Sequence, residues 1–144
     1  MTNTADRPVA IGEGRHFGII VPFLDTIGLV PLRWGGGIAV ARLPWRPDLI
    51  NSRGGLQGGS LMTALDFTMS AAARAAYEAP MGAATIDMHS MFLETAPADV
   101  TIEARCLRAG RSIAFCEGEA KDERGAIVVR ASATFRMIAM GEGA

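Results

Sequence analysis

The chain has 144 residues, 49% hydrophobic and 20% charged, a size and balance that suit one folded domain with a real core and exclude a disordered chain. The 14 basic and 15 acidic side chains leave a net charge of −1, which supplies no general field for nucleic acid or an anionic membrane. No stretch is long and uncharged enough to span a bilayer, so the apolar excess is expected in a buried central element or at a subunit interface.

Residues 1–16 are polar, carry Gly12 and Gly14, and read as a flexible N-terminal segment that includes His16. From residue 17 to 32 the chain is mostly apolar but is punctuated by Pro22, Asp25, Gly28 and Pro31. That pattern predicts a short helix over 22–27 and then a strand. Gly35-Gly36-Gly37 marks a turn, residues 38–43 alternate as a strand, and Pro44, Pro47 and Asp48 end it. A glycine-rich loop, NSRGGLQGG over 51–59, leads into SLMTALDFTMSAAARAAYEA, the best helix-forming stretch of the chain. This helix is apolar nearly all round, which predicts burial on most sides. One stripe differs: Thr63, Asp66, Ser70, Arg74 and Tyr77 follow the spacing of a single helix face.

Beyond Gly82 the period changes to two. Strands are predicted over 84–94, 100–108, 112–121 and 126–137, joined by short connections that suit antiparallel hairpins. Many inward positions are small (Ala104, Cys106, Ala114, Cys116, Gly118, Ala120), as expected where a helix lies close against a sheet. The reading is one α+β domain of five or six antiparallel strands around a long helix.

Asp66 is the only carboxylate between Gly54 and Tyr77. An acid alone on a largely buried helix suits work as a base or nucleophile; the plainer reading is a stripe that simply faces water. The loop before it adds chemistry. Gly58 and Gly59 lead directly into the helix N-terminus, where unpaired backbone N–H groups suit an anion or a developing oxyanion. Gln57 and Asn51 add side-chain amides beside them, although a glycine loop also serves tight turning alone. No phosphate-loop lysine follows the glycines, which argues against a nucleotide site.

The segment NSRGGLQGGSLMTALDFTMSAAA resembles the signature of hotdog-fold acyl-CoA thioesterases of the phenylacetate-degradation (PaaI) type. That signature runs Asn, a glycine-containing loop, His-Gly-Gly, then an Asp nine residues after the His. Asn51, Gln57-Gly58-Gly59 and Asp66 fill those positions, and ATIDMHSMFLETA and LRAGRSIAF resemble the strand and hairpin that follow. The resemblance implies a hotdog fold, an antiparallel five- to six-stranded sheet wrapped around one long central helix, as a single domain over 17–140. It implies hydrolysis of a CoA thioester to free acid and CoA, with no cofactor beyond the coenzyme A of the substrate.

By the same resemblance, Asp66 activates water or attacks the thioester carbon, and the Gly58 N–H polarises its carbonyl. Asn51 orients water or thioester, and Thr85 hydrogen-bonds near the acid. Gly59, Arg108, Arg111 and Ser112 fall where substrate and coenzyme phosphates bind. The site is implied at a subunit interface of a homo-oligomer, a dimer or a dimer of dimers. Gln57 stands where the family usually has His; it donates a hydrogen bond but shuttles no proton. That departure sustains a second reading, a non-catalytic acyl-CoA binding module. A hydratase or dehydratase on the same fold is opposed by the missing motif, although Asp87 and His89 share a strand face.

Cys106 and Cys116, on adjacent predicted strands, are too few for a metal cage or a disulfide framework and read as inert core thiols. The N-terminus lacks a basic stretch leading into an apolar one, so a cytoplasmic protein is expected, with no metal and with neither nucleic acid nor membrane as partner.

Overall fold

The computed structural model describes residues 15–140. A two-residue strand, β1 (Arg15–His16), turns back onto β2 (Ile19–Ile20), and α1 (Pro22–Ile27) follows at the predicted place. Next come β3 (Val30–Gly35) and β4 (Ile38–Leu43), a short 3-10 turn at Pro47–Leu49, and the long helix α2 (Gly58–Ala75). β5 (Met81–Phe92), β6 (Val100–Ala109), β7 (Ile113–Lys121) and β8 (Ile127–Ala139) complete the chain. The six longer strands form one antiparallel sheet in the order β3-β4-β6-β7-β8-β5. The sheet curls around α2, which packs against every one of its strands.

Alternation in β6, β7 and β8 places Ile102, Ala104, Ala114, Ala120, Val129 and Phe135 inward, all buried with Leu65 and Met69 of α2. Small residues at these positions let helix and sheet approach. At Gly118 the approach is closest: a Cβ there would lie 3.1 Å from the Met69 side chain and 3.4 Å from Leu65. Gly118→Val, with two further methyls, is therefore expected to destabilise the fold by about 1–3 kcal/mol, read from urea unfolding, with no new exposed surface to explain the loss.

Of the segment expected to be flexible, residues 1–14 lie outside the described residues. Arg15 and His16 do not behave as such a segment. His16 is only 3% exposed, and its Nε2 donates to the Leu29 carbonyl at 2.9 Å. The turn responsible holds Phe17 at φ 53 and Gly18 at φ 85, the left-handed region that a bulky side chain enters only when its surroundings compel it. Here they do: the fully buried Phe17 ring packs on Trp34 and Phe67, and Arg74 donates to the Phe17 carbonyl at 2.9 Å. Arg74, predicted on a polar stripe, is thus buried beneath this hairpin, its guanidinium 5.0 Å from the Trp34 ring centre.

The two sheet edges differ. β3 carries Pro31 and Arg33 with a register shift between them, features that blunt an edge. β5 is twelve residues long, lacks Pro and Lys, and leaves Ile86, Met91 and Phe92 exposed. The sequence predicted a strand here without signalling that it forms the border of the sheet.

Candidate active site

The loop before α2 is built by its own polar groups. The Asn51 side-chain oxygen accepts from the backbone N–H of Arg53 (2.8 Å) and Gly55 (3.2 Å), an Asx-type turn that requires φ 87 at Gly54. Trp45 Nε1–H donates to the Gly54 carbonyl at 2.9 Å, and Leu56 N–H to Ala96 at 2.8 Å. Asn51 therefore spends its oxygen on the loop, and only its amide nitrogen remains to face a substrate.

Gln57 caps the helix. Its side-chain oxygen accepts from Gly59 N–H at 2.6 Å and Ser60 N–H at 3.2 Å. A Cβ at Gly59 would sit 2.7 Å from that oxygen, so the glycine gives the cap room in this rotamer. The Gly59 amide is thus engaged within the chain, and its expected substrate contact reduces to the space its missing side chain leaves. The cap also draws the helix start back to Gly58, two residues before the sequence pattern begins. The Gly58 N–H remains without a partner among the described residues, at the positive end of an 18-residue helix.

Asp66 lies half-buried on the open side of α2, and Thr85 of β5 donates its hydroxyl to Asp66 Oδ1 at 2.7 Å. The acid is therefore held against the border strand of the sheet. The helix rise puts Gly58 and Asp66, eight residues apart, about 12 Å from each other. One chain does not bring donor and acid to the same atom.

Two cavities flank the helix start. One of about 510 Å³ is lined by Asn51, Arg53, Gly58, Leu61, Phe92 and Glu94. The other, about 390 Å³, lies among Phe23, Ile27, Leu49, Gln57, Ser60 and Thr63. Phe23 and Phe92 carried no signal in the sequence, since they reach the helix start only through the path of α1 and β5, whereas Arg53 lies within the glycine-rich loop itself.

Arg108, Arg111 and Ser112 sit on the β6–β7 hairpin, at the far end of α2 from Gly58. Tyr77 ties that hairpin to the helix, its hydroxyl donating to the Gly110 carbonyl at 2.5 Å. Arg108 and Arg111 are exposed and form no ion pair among the described residues. Arg105, three residues before Arg108 on β6, is instead bonded to Glu117 and Glu119 on the outer sheet face. Asp87 and His89 are exposed, and no hydrogen bond joins them. Among the described residues no cluster of His, Cys, Asp and Glu could hold a metal ion, and no helix is long and apolar enough to cross a membrane.

The model of the thioesterase superfamily matches residues 54–129. A protein of Saccharolobus solfataricus named as a candidate esterase, SSO2140, is 33% identical over 96 residues, which is 66% of this chain and 68% of that protein. Among solved structures, the conserved protein PA5202 of Pseudomonas aeruginosa superposes with a TM-score of 0.79 at 28% identity, covering 83% of this chain and 95% of its own. The thioesterase HI1161 of Haemophilus influenzae has a TM-score of 0.77 at 19% identity, with 84% and 85% covered. The E. coli PaaI protein of the phenylacetic acid degradation operon has a TM-score of 0.75 at 16% identity, with 84% and 86% covered. The last two share the fold.

Proposed function

The chain belongs to the thioesterase superfamily, and from that premise we propose that it hydrolyses an acyl-CoA to free acid and coenzyme A at a site shared by two copies of the chain. The observation that carries this reading is the division of labour along α2: an unpartnered Gly58 N–H at its start, and an Asp66–Thr85 pair on its uncovered side. A second copy joined along the β5 edge would cover that side and supply the missing half of each site.

In such a site the Gly58 N–H of one copy holds the thioester oxygen as it gains charge, aided by the helix start behind it. Asp66 of the other copy takes a proton from water, or attacks the carbonyl carbon itself. The tetrahedral centre collapses, the C–S bond breaks and coenzyme A leaves; where Asp66 has attacked, water then cleaves the mixed anhydride, releasing the acid and restoring the carboxylate. Thr85 fixes the carboxylate through one oxygen and leaves the other for the reacting atom. Gln57, its oxygen held in the helix cap, presents only N–H groups outward; this supports a donor role and leaves the proton transfer to Asp66. Arg108 and Arg111 would meet the coenzyme phosphates.

The test is thiol release from a panel of aryl-, medium- and long-chain acyl-CoAs. Release is expected, with the best substrate naming the acyl pocket. Binding of CoA thioesters without release across the panel would replace this reading with a binding module.

A further inference from the structure

Cys106 and Cys116 take no part in the proposed hydrolysis, yet the sheet gives them a chemistry of their own. They stand directly opposite each other in the β6–β7 register. The Cys106 N–H donates to the Gly37 carbonyl at 2.7 Å, so the backbone groups of this residue point away from β7. The two cysteines therefore form a non-hydrogen-bonded pair, the closer of the two antiparallel spacings, with Cα atoms about 4.5 Å apart. That separation lies within the ~4.4–6.8 Å that a disulfide bridges.

The two sulfurs are unequal. Cys116 is 2% exposed beneath α2, whereas Cys106 is half-buried at the helix end, near Ala76. The paired Cys116 thiol and the backbone N–H of Arg108 hold the Cys106 thiol below its ordinary range against the opposing effect of burial. Cys106 beside it, together with burial, pushes the Cys116 thiol up. One sulfur is thus the more acidic and has some access to solvent, and its partner across the strand pair is buried.

We propose that Cys106 and Cys116 form an oxidisable dithiol that closes to a cross-strand disulfide in response to a hydroperoxide. The Cys106 thiolate attacks one peroxide oxygen, breaking the O–O bond, and becomes a sulfenic acid while hydroxide leaves and is protonated to water. The Cys116 sulfur then attacks the sulfenic sulfur; its proton and the departing hydroxide leave as a second water, and the S–S bond forms. Two sulfurs are oxidised and one peroxide is reduced to two waters. The inference stands apart from the thioesterase reading, because its readout is chemical.

The experiment treats the full chain with hydrogen peroxide and follows denatured thiol titration with non-reducing peptide mapping. Both thiols are expected to disappear together into one linked peptide pair lighter by two hydrogens, and to return with dithiothreitol. Cys116→Ala is expected to leave Cys106 carrying added oxygen and no bridge. Cys106→Ala, a change at the less buried position, is expected to leave Cys116 unmodified. A wild-type chain that keeps both thiols, adds oxygen at Cys106 without bridging, or links two chains through Cys106 overturns the proposal.

Discussion

Asp66→Asn is expected to lower kcat for acyl-CoA hydrolysis by about a thousandfold, the scale of losing a positioned general base, while KM and Tm stay close to those of the unaltered protein. The substitution is nearly isosteric, and the Asn oxygen still accepts the Thr85 hydroxyl that Asp66 accepts at 2.7 Å. Local packing is therefore kept, and what disappears is the ability to take a proton or to attack a carbonyl carbon. Thiol release under saturating substrate, with a thermal melt alongside, separates the two effects. A variant that keeps activity within a few-fold would remove Asp66 from the mechanism; a variant that loses Tm as well would make the acid a structural element of α2.

Ile86→Asp is expected to turn the proposed dimer into single chains and to reduce turnover by about a hundredfold or more, with Asp66 itself untouched. Ile86 is the extra residue at the register shift between Thr85 and Asp87, it is 54% exposed, and it lies near the middle of β5. A two-fold antiparallel pairing centred on that strand sets the residue beside its own copy, so the change brings two carboxylates together where two isoleucine side chains would pack. Sedimentation gives the mass, and thiol release gives the activity at the same concentration. A variant that stays dimeric and active would free the β5 edge from the interface. A fully active single chain would mean that one copy holds a complete site.

Much of this fold was legible because its signals are local. The helix over 22–27 and the strand over 38–43 fall where proline and glycine punctuation set them, and the last four strands follow their period-two runs to within a few residues. Small residues at Ala104, Ala114, Gly118 and Ala120 mark the close helix–sheet contact in the sequence itself. The misreadings trace to contacts between distant segments. Arg15 and His16 belong to an ordered hairpin because Phe17 finds Trp34, Phe67 and Arg74, far along the chain, and nothing in the Phe-Gly pair itself proclaims such a turn.

The site divides in the same way. Asp66 and the glycine-rich helix start could be singled out from residue chemistry. The Asp66–Thr85 contact spans 19 residues and came only through family resemblance, which the hydrogen bond matches. The turning of the Gln57 amide oxygen back onto Gly59 and Ser60 was hidden, because a side chain two residues from a free N–H serves equally well as cap or as substrate donor until its rotamer is seen.

The contrast between the two borders of the sheet also bears on what these chains do when crowded. Pro31 offers no N–H, Arg33 brings a charge, and the slipped register beside them spoils the template for another strand. On the pairing proposed through β5, the protein is a monofunctional monomer in the polymer chemist's sense: it would carry one joinable end, so two units would couple once and the reaction would stop. An equally open β3 would have made it bifunctional, and the same strand addition would run on into a fibre.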